Sequence, residues 1–393
     1  MKTLINIILI IIVSVTLKAQ NNTTIIESNN RFAFDVYAKL KKTGLNLILS
    51  PASITSAIAM TYMGAEGNTQ HEISSTFYFP ENKNELGNSY HHHFYDQKES
   101  KENNVKLFNA NSLWIQEKLN LSQDFINMNK NYFNSSLQMV DFIKNTEKSR
   151  ITINTWVEKN TKKRIKNLIK PSAIDNTTRL VLVNAIYFKA PWEKAFRKEQ
   201  NTTEQFQTGK SDFITTTFMN KRMNLWYYSD KCTQIVDILY SGGNYSLMII
   251  LPKTFKKFNK IEKILNHDYY QNYIDNKDLK RVNLSMPKFN IESEFELNKT
   301  LADLGMKEAF TESANFSGIT EQEKLFISAV AHKANITVDE EGTEAAASTA
   351  VMMTKTSVMM DTIDFKVDKP FFFILRNNKN NLIYFIGKIS KPR

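Results

Sequence analysis

Three adjacent histidines, His91, His92 and His93, and a single thiol, Cys232, are the side chains best suited to metal ligation or nucleophilic attack. Neither set is arranged for it. Successive residues of a strand or helix diverge in direction, and no cysteine or second histidine pair completes a tetrahedral shell, so the histidine run reads as exposed polar surface with no metal. Cys232 has no companion base and reads as a small buried hydrophobe. The chain contains no Gly-X-Ser-X-Gly elbow, no phosphate-binding glycine loop and no His-Glu-X-X-His helix. That leaves no catalytic group to name and no cofactor.

The more informative residues carry no reactive group. Val338 to Met353 read V-D-E-E-G-T-E-A-A-A-S-T-A-V-M-M, a small and mostly uncharged run in a chain otherwise crowded with Lys, Asn and aromatics. From Thr343, one alternate set is Thr343, Ala345, Ala347, Thr349, Val351 and Met353, and the other is Glu344, Ala346, Ser348, Ala350 and Met352. Because strand side chains alternate between faces, the first set suits a packed core and the second suits solvent. Three alanines after Gly342 bury little apolar area, so the segment is able to join a sheet and poor at holding itself there. On spacing alone an alanine-rich surface helix is an equal alternative. Thr354, Thr356, Ser357 and Val358 then dilute helix propensity, which favours a long exposed loop, and such loops are usually functional or disordered.

Flanking elements give the run its meaning. A strand pattern covers His332 to Val338, and K-P-F-F-F-I-L-R follows at Lys369 to Arg376. Together with E-E-G-T-E-A-A-A-S-T these resemble the hinge, reactive loop and carboxy-terminal signature of a serpin. The blocks at Asn46 to Ile54, Ile153 to Thr161, Leu182 to Trp192 and Met286 to Phe289 resemble other serpin motifs in the expected order. The resemblance spans nearly the whole chain after its leader. It implies an α+β serpin fold with three β-sheets, about nine helices and an exposed reactive-centre loop at about 341–362. The implied activity is suicide inhibition: a serine protease is acylated on the loop, and the loop inserts into the central sheet before the ester is hydrolysed.

Site residues follow from the same resemblance. The hinge is Gly342, Thr343, Glu344, Ala345, Ala346, Ala347, Ser348 and Thr349. Counting from Glu340 places the scissile bond between Thr356 and Ser357, with Lys355 as the runner-up specificity residue. Ser50, Ser53, Asn184 and His332 resemble the shutter; Ser50 also suits the cap of an apolar helix from Ile54 to Met63, with Pro51 in its first turn. Trp192, Lys288 and Glu340 resemble the breach, where a Lys288–Glu340 ion pair would restrain early opening. Small residues at Thr343, Ala345 and Ala347 favour an inhibitor; the alternative is a non-inhibitory carrier, storage protein or chaperone. The implied partner is a serine protease held as a covalent acyl-enzyme, with a cysteine protease as a second class.

Composition bounds the rest. At 393 residues and 42% hydrophobic the chain can bury a large core, and with 11 Gly and 8 Pro spread along it no linker divides it. A single domain over 20–393 is expected. Before it, Lys2, an apolar stretch from Leu4 to Val15 and a cut after Ala19 read as a signal peptide (1–19), too short for a membrane span, so a secreted extracellular monomer with no membrane attachment is expected. One cysteine excludes an intramolecular disulfide framework. Asn134, Asn201 and Asn283 head glycosylation triplets.

The net charge of +11 raises polyanion and nucleic-acid binding. Lysines and arginine gather at Lys159–Lys166 and at Lys253–Lys263. The first group continues a helical pattern with Ile153, Trp156, Val157 and Ile165 on its apolar side, which leaves the charges solvated. No nucleic-acid reader motif is present. In heparin-activated serpins a basic helix occupies the region corresponding to Leu86–Lys101, which is not strongly basic here, so a glycosaminoglycan is disfavoured.

Overall fold

The computed structural model describes residues 24–95, 105–133, 136–343 and 362–392. The expected leader, Asn134, the hinge from Glu344 to Thr349, and Lys355, Thr356 and Ser357 lie outside the described residues. Those described form an α+β fold of nine α-helices and fifteen strands. The strands make two sheets, of nine and six, where three were expected. The reason lies in the strand Phe213–Ser229, which is 17 residues long. It pairs with Thr202–Gln207 and Asp278–Pro287, and through Trp226–Ser229 with Thr233–Leu239, so two neighbourhoods share one continuous ladder.

The six-stranded sheet positions the site. Its strand Leu180–Pro191 is buried almost throughout, as expected for a strand covered on both faces. Leu182, Ile186, Phe188 and Ala190 enter the main core, while Val181, Val183 and Ala185 enter a second cluster on the other face. Behind the main-core face lies the helix Pro51–Tyr62, every residue of which is buried. Ser50 caps it by accepting a hydrogen bond from the Ser53 amide, and Pro51 occupies the first turn, where its missing N–H costs nothing. The opposite face is covered by the helix Thr146–Asn160, with Trp156 edge-on to Trp114 at 5.8 Å.

That covering helix ends at Asn160, after Lys159 and before the rest of the basic cluster expected to continue it. Lys162 and Lys163 both adopt positive φ, and the Thr161 hydroxyl accepts from the Ile165 amide at 3.2 Å, closing a turn. Lys162, Lys163, Arg164 and Lys166 sit on that turn and its continuation, all exposed.

Near the sheet's centre, Ile327–Val338 runs parallel to Leu180–Pro191, with Ile327 opposite Leu180, a register shift before Ala329, and then continuous register from Ala329 opposite Val181 to Asn335 opposite Tyr187. Beyond that point the two strands part. Gly342–Thr343 lies between them and antiparallel to both, with Thr343 opposite Val338 on one side and Ala190 on the other.

Candidate functional site

A tight turn delivers the chain to this gap. The Asp339 carboxylate accepts from the backbone amides of Glu341 at 2.9 Å and Gly342 at 3.2 Å. Gly342 then has φ of +152°, and a Cβ there would lie 2.1 Å from the Ala190 carbonyl oxygen. Only glycine fits, because the next strand's backbone occupies the space a side chain needs. Thr343 follows fully buried, its hydroxyl 2.6 Å from that of Tyr240. Burial pushes the Tyr240 hydroxyl far above its ordinary pKa, so it stays protonated and the pair shares a neutral hydrogen bond.

Three sets of interactions hold the turn from outside. Trp192 stacks on Tyr240 at 4.5 Å and donates its indole N–H to the Asp339 carbonyl at 2.8 Å. The amides of Trp192 and Phe196 donate to the carbonyls of Glu341 and Glu340 at 2.9 and 2.8 Å. Glu340, 3% exposed, accepts from Lys288 and Asn201, each at 2.5 Å. Burial pushes the Glu340 carboxyl up, but hydrogen bonds from Lys288 and Asn201 outweigh it and hold the group below its usual 4.5.

Deeper in the sheet, from Val338 back along its strand to His332, lies a polar row. His332 is opposite Asn184, and Asn184 is opposite Asn111 on the next strand. The Ser50 amide donates to His332 Nε2 at 3.1 Å, and the Ser53 hydroxyl donates to Asn111 Oδ1 at 2.8 Å. His332 is fully buried, which pushes its pKa down to about 3, so the ring is neutral with its proton on Nδ1. Among the described residues, both side-chain polar atoms of Asn184, Asn111 Nδ2 and His332 Nδ1 are buried with no hydrogen-bond partner. Unpaired buried polar groups each cost roughly 1–3 kcal/mol, so this row is poised to accept new partners.

The structure therefore brings Trp192, Lys288 and Glu340 together at the mouth of the gap, and Ser50, Ser53, Asn184 and His332 together beneath it. Sequence reasoning missed Tyr240, Asn111 and the role of Asn201, which it had singled out only as a glycosylation triplet. Asn283, another such residue, accepts from Arg222 at 2.6 Å and donates to Asp364 at 2.8 Å. No group of His, Cys, Asp or Glu among the described residues is disposed to hold a metal.

Comparison with known proteins bears on what this arrangement does. Residues 27–392 match the family model described as serpin (serine protease inhibitor). Human serpin B4 is 34% identical over 93% of this chain and 99% of its own length. Among solved structures, Serpin48 of the insect Tenebrio molitor, described as highly specific, superposes with a TM-score of 0.84 at 26% identity, covering 94% of this chain and 98% of that one. Thyroxine-binding globulin in complex with thyroxine superposes with a TM-score of 0.83 at 27% identity, covering 93% and 98%.

Proposed function

The chain belongs to the serpin family, and we propose that within this family of inhibitors it is a secreted suicide inhibitor of serine proteases. Its bait bond is Thr356–Ser357. A protease serine attacks the Thr356 carbonyl, the amine of Ser357 leaves, and the enzyme is joined to Thr356 as an ester. Hydrolysis of that ester would free both proteins. Insertion of the loop must come first, carrying the enzyme about 40 Å along the sheet at ~3.3 Å per residue.

The observation that carries this reading is the seating of Gly342 and Thr343 between two strands that are parallel partners further down. Continued in the same register, Ala345 would fall opposite Phe188 and Ile336, Ala347 opposite Ile186 and Ala334, and Thr349 between Asn184 and His332. The inserting strand thus brings a hydroxyl to the row of unpaired polar atoms. On the other face, Glu344 would meet Lys189 and Thr337, near solvent. Ala346, Ser348 and Ala350 would pass toward Val183, Ala185 and Ala331, beneath the covering helix. Small side chains are needed on both faces, which the run from Ala345 to Ala350 supplies.

The deciding experiment incubates the protein with trypsin, chymotrypsin, elastase and a papain-like enzyme. A denaturant-stable complex with a serine protease is expected, releasing a peptide that begins at Ser357. A peptide beginning at Thr356 would move the bait residue to Lys355. Likeness to thyroxine-binding globulin favours a second reading, a carrier that does not trap proteases, and clean turnover of the loop by every enzyme would select it.

A further inference from the structure

The second lysine cluster of the sequence takes a definite form in the fold. The helix Phe258–Ile264 turns Phe258 and Ile261 into the core, with Leu265 after them. Lys256, Lys260 and Lys263, at helical spacing, are left exposed on its outer side. Ile264, 42% exposed, stands one turn from Lys260 beside the same stripe. The loop 41–46 is tied alongside. The Lys41 ammonium donates to the Glu262 carbonyl at 2.9 Å, and the fully buried Lys388 donates to the Lys42 carbonyl and the Glu262 carboxylate, each at 2.7 Å. The end of this loop is fixed as well, because the Asn46 side chain accepts from the amides of Ser390 and Lys391 at 2.8 and 2.9 Å. Leu45 is therefore presented 56% exposed, with the exposed Lys42 three residues before it.

The acid built into this face is spent. Glu262 is the single acid between Lys253 and Leu265, and it answers Lys388 and also the Tyr37 hydroxyl, at 3.0 Å. Asp268 lies beyond the helix, against His267 at 3.9 Å. Among the described residues, none of Lys42, Lys256, Lys260 and Lys263 is in an ion pair. We propose that this face docks peripherally on an anionic lipid surface, with its lysines at the headgroups and Leu45 and Ile264 entering the interface. Exposed lysines alone would suit any polyanion. The two aliphatic side chains favour lipid, because a bilayer interface buries them and a dissolved polyanion does not. Each lysine brought to an anionic surface strengthens binding roughly fivefold. Docking of this kind needs no spanning segment, and no described helix is long and apolar enough to cross a membrane. The face shares no residue with the hinge, the mouth of the gap or the polar row. Its binding is measured without any protease, so its failure would leave the inhibitory reading standing.

Co-sedimentation of the whole protein with vesicles of phosphatidylcholine, and with vesicles of phosphatidylcholine and phosphatidylglycerol, tests it at fixed ionic strength. Binding to the anionic vesicles alone is expected. It should weaken at least tenfold in Lys256→Gln with Lys260→Gln and Lys263→Gln. It should weaken severalfold in Leu45→Ser with Ile264→Ser, which leaves the charge unchanged. Lys159→Gln with Lys163→Gln and Lys166→Gln removes the same charge from another exposed cluster and should leave binding nearly intact. All these positions are exposed, and an unchanged thermal midpoint checks the fold of each variant. Absence of binding to the anionic vesicles overturns the proposal, as does equal binding to the neutral ones. Equal loss in the two lysine variants also overturns it, since net charge alone would then be responsible. So does binding that is indifferent to Leu45→Ser with Ile264→Ser and matched by dextran sulfate, which would mean a site for dissolved polyanions.

Discussion

Glu340 is a carboxylate placed where it must keep its charge. Its pKa in the fold lies below the usual 4.5, so the stability it contributes is present above pH 4.5 and lost as pH falls through the folded value. Lys288 is 38% exposed at its side chain, which screens the pair and limits its worth. Lys288→Ala should cost about 1–2 kcal/mol, measured as a denaturant midpoint at pH 7, and the same variant should lose less than wild type between pH 5 and pH 3. His332 gives the opposite kind of group. Its neutral form is required, so between the usual 6.5 and about 3 the unfolded chain binds a proton that the folded chain refuses, and stability falls as pH falls across that window. The slope is about 1.4 kcal/mol per pH unit, or about 2 kcal/mol by pH 5. His332→Gln should flatten the wild-type loss between pH 7 and pH 5, and an unchanged slope would mean that His332 is not the titrating group.

At the scale of elements, the seating of the hinge in the gap depends on the backbone conformation of Gly342 and on the Thr343–Tyr240 hydroxyl pair. Gly342→Ala forces a Cβ against the Ala190 carbonyl at a φ unfavourable to any other residue, so the hinge should leave the gap at a cost of about 1–3 kcal/mol. Trp192, stacked on the Tyr240 that bonds Thr343, reports the event, and its emission should shift in this variant. Thr343→Arg tests the next step. A charge entering a fully buried position slows insertion, so the variant should be cleaved as a substrate where wild type forms complexes, and unchanged inhibition would refute the insertion mechanism. The strands at Leu182 to Trp192 and His332 to Val338 were legible because motifs and small-residue patterning are local. Tyr240 and Asn201 were not, since they meet Thr343 and Glu340 across 103 and 139 residues and carry no local pattern of their own. The number of sheets was equally hidden, because it depends on how far one 17-residue strand continues its pairings, which periodicity does not record. The helix expected to run through Lys159–Lys166 failed for a related reason: the apolar period persists to Ile165 while the backbone turns left-handed at Lys162 and Lys163.

For the molecule as a whole, the proposed mechanism requires the parallel pairing at the sheet's centre to open. Parallel pairing is slightly weaker per residue than antiparallel, and the incoming strand would replace that single interface with two antiparallel ones. Insertion of about ten residues adds hydrogen bonds on both sides, and at ~1 kcal/mol net each the gain is on the order of 10 kcal/mol before the polar row around Asn184 is satisfied. On the proposed inhibitory mechanism, the anchors at Glu340 and Gly342 hold the uncleaved fold short of its most stable arrangement. For a domain of this size a gain of that order should raise the thermal midpoint by on the order of 10 °C. Limited proteolysis within 349–361 followed by a melting scan measures it, with cleaved Thr343→Arg as the comparison. Wild type should gain heat resistance on cleavage and the arginine variant should gain much less, because its loop is cut but cannot enter. Equal midpoints before and after cleavage in the wild-type protein would show that the gap between the two strands stores nothing for the loop to release.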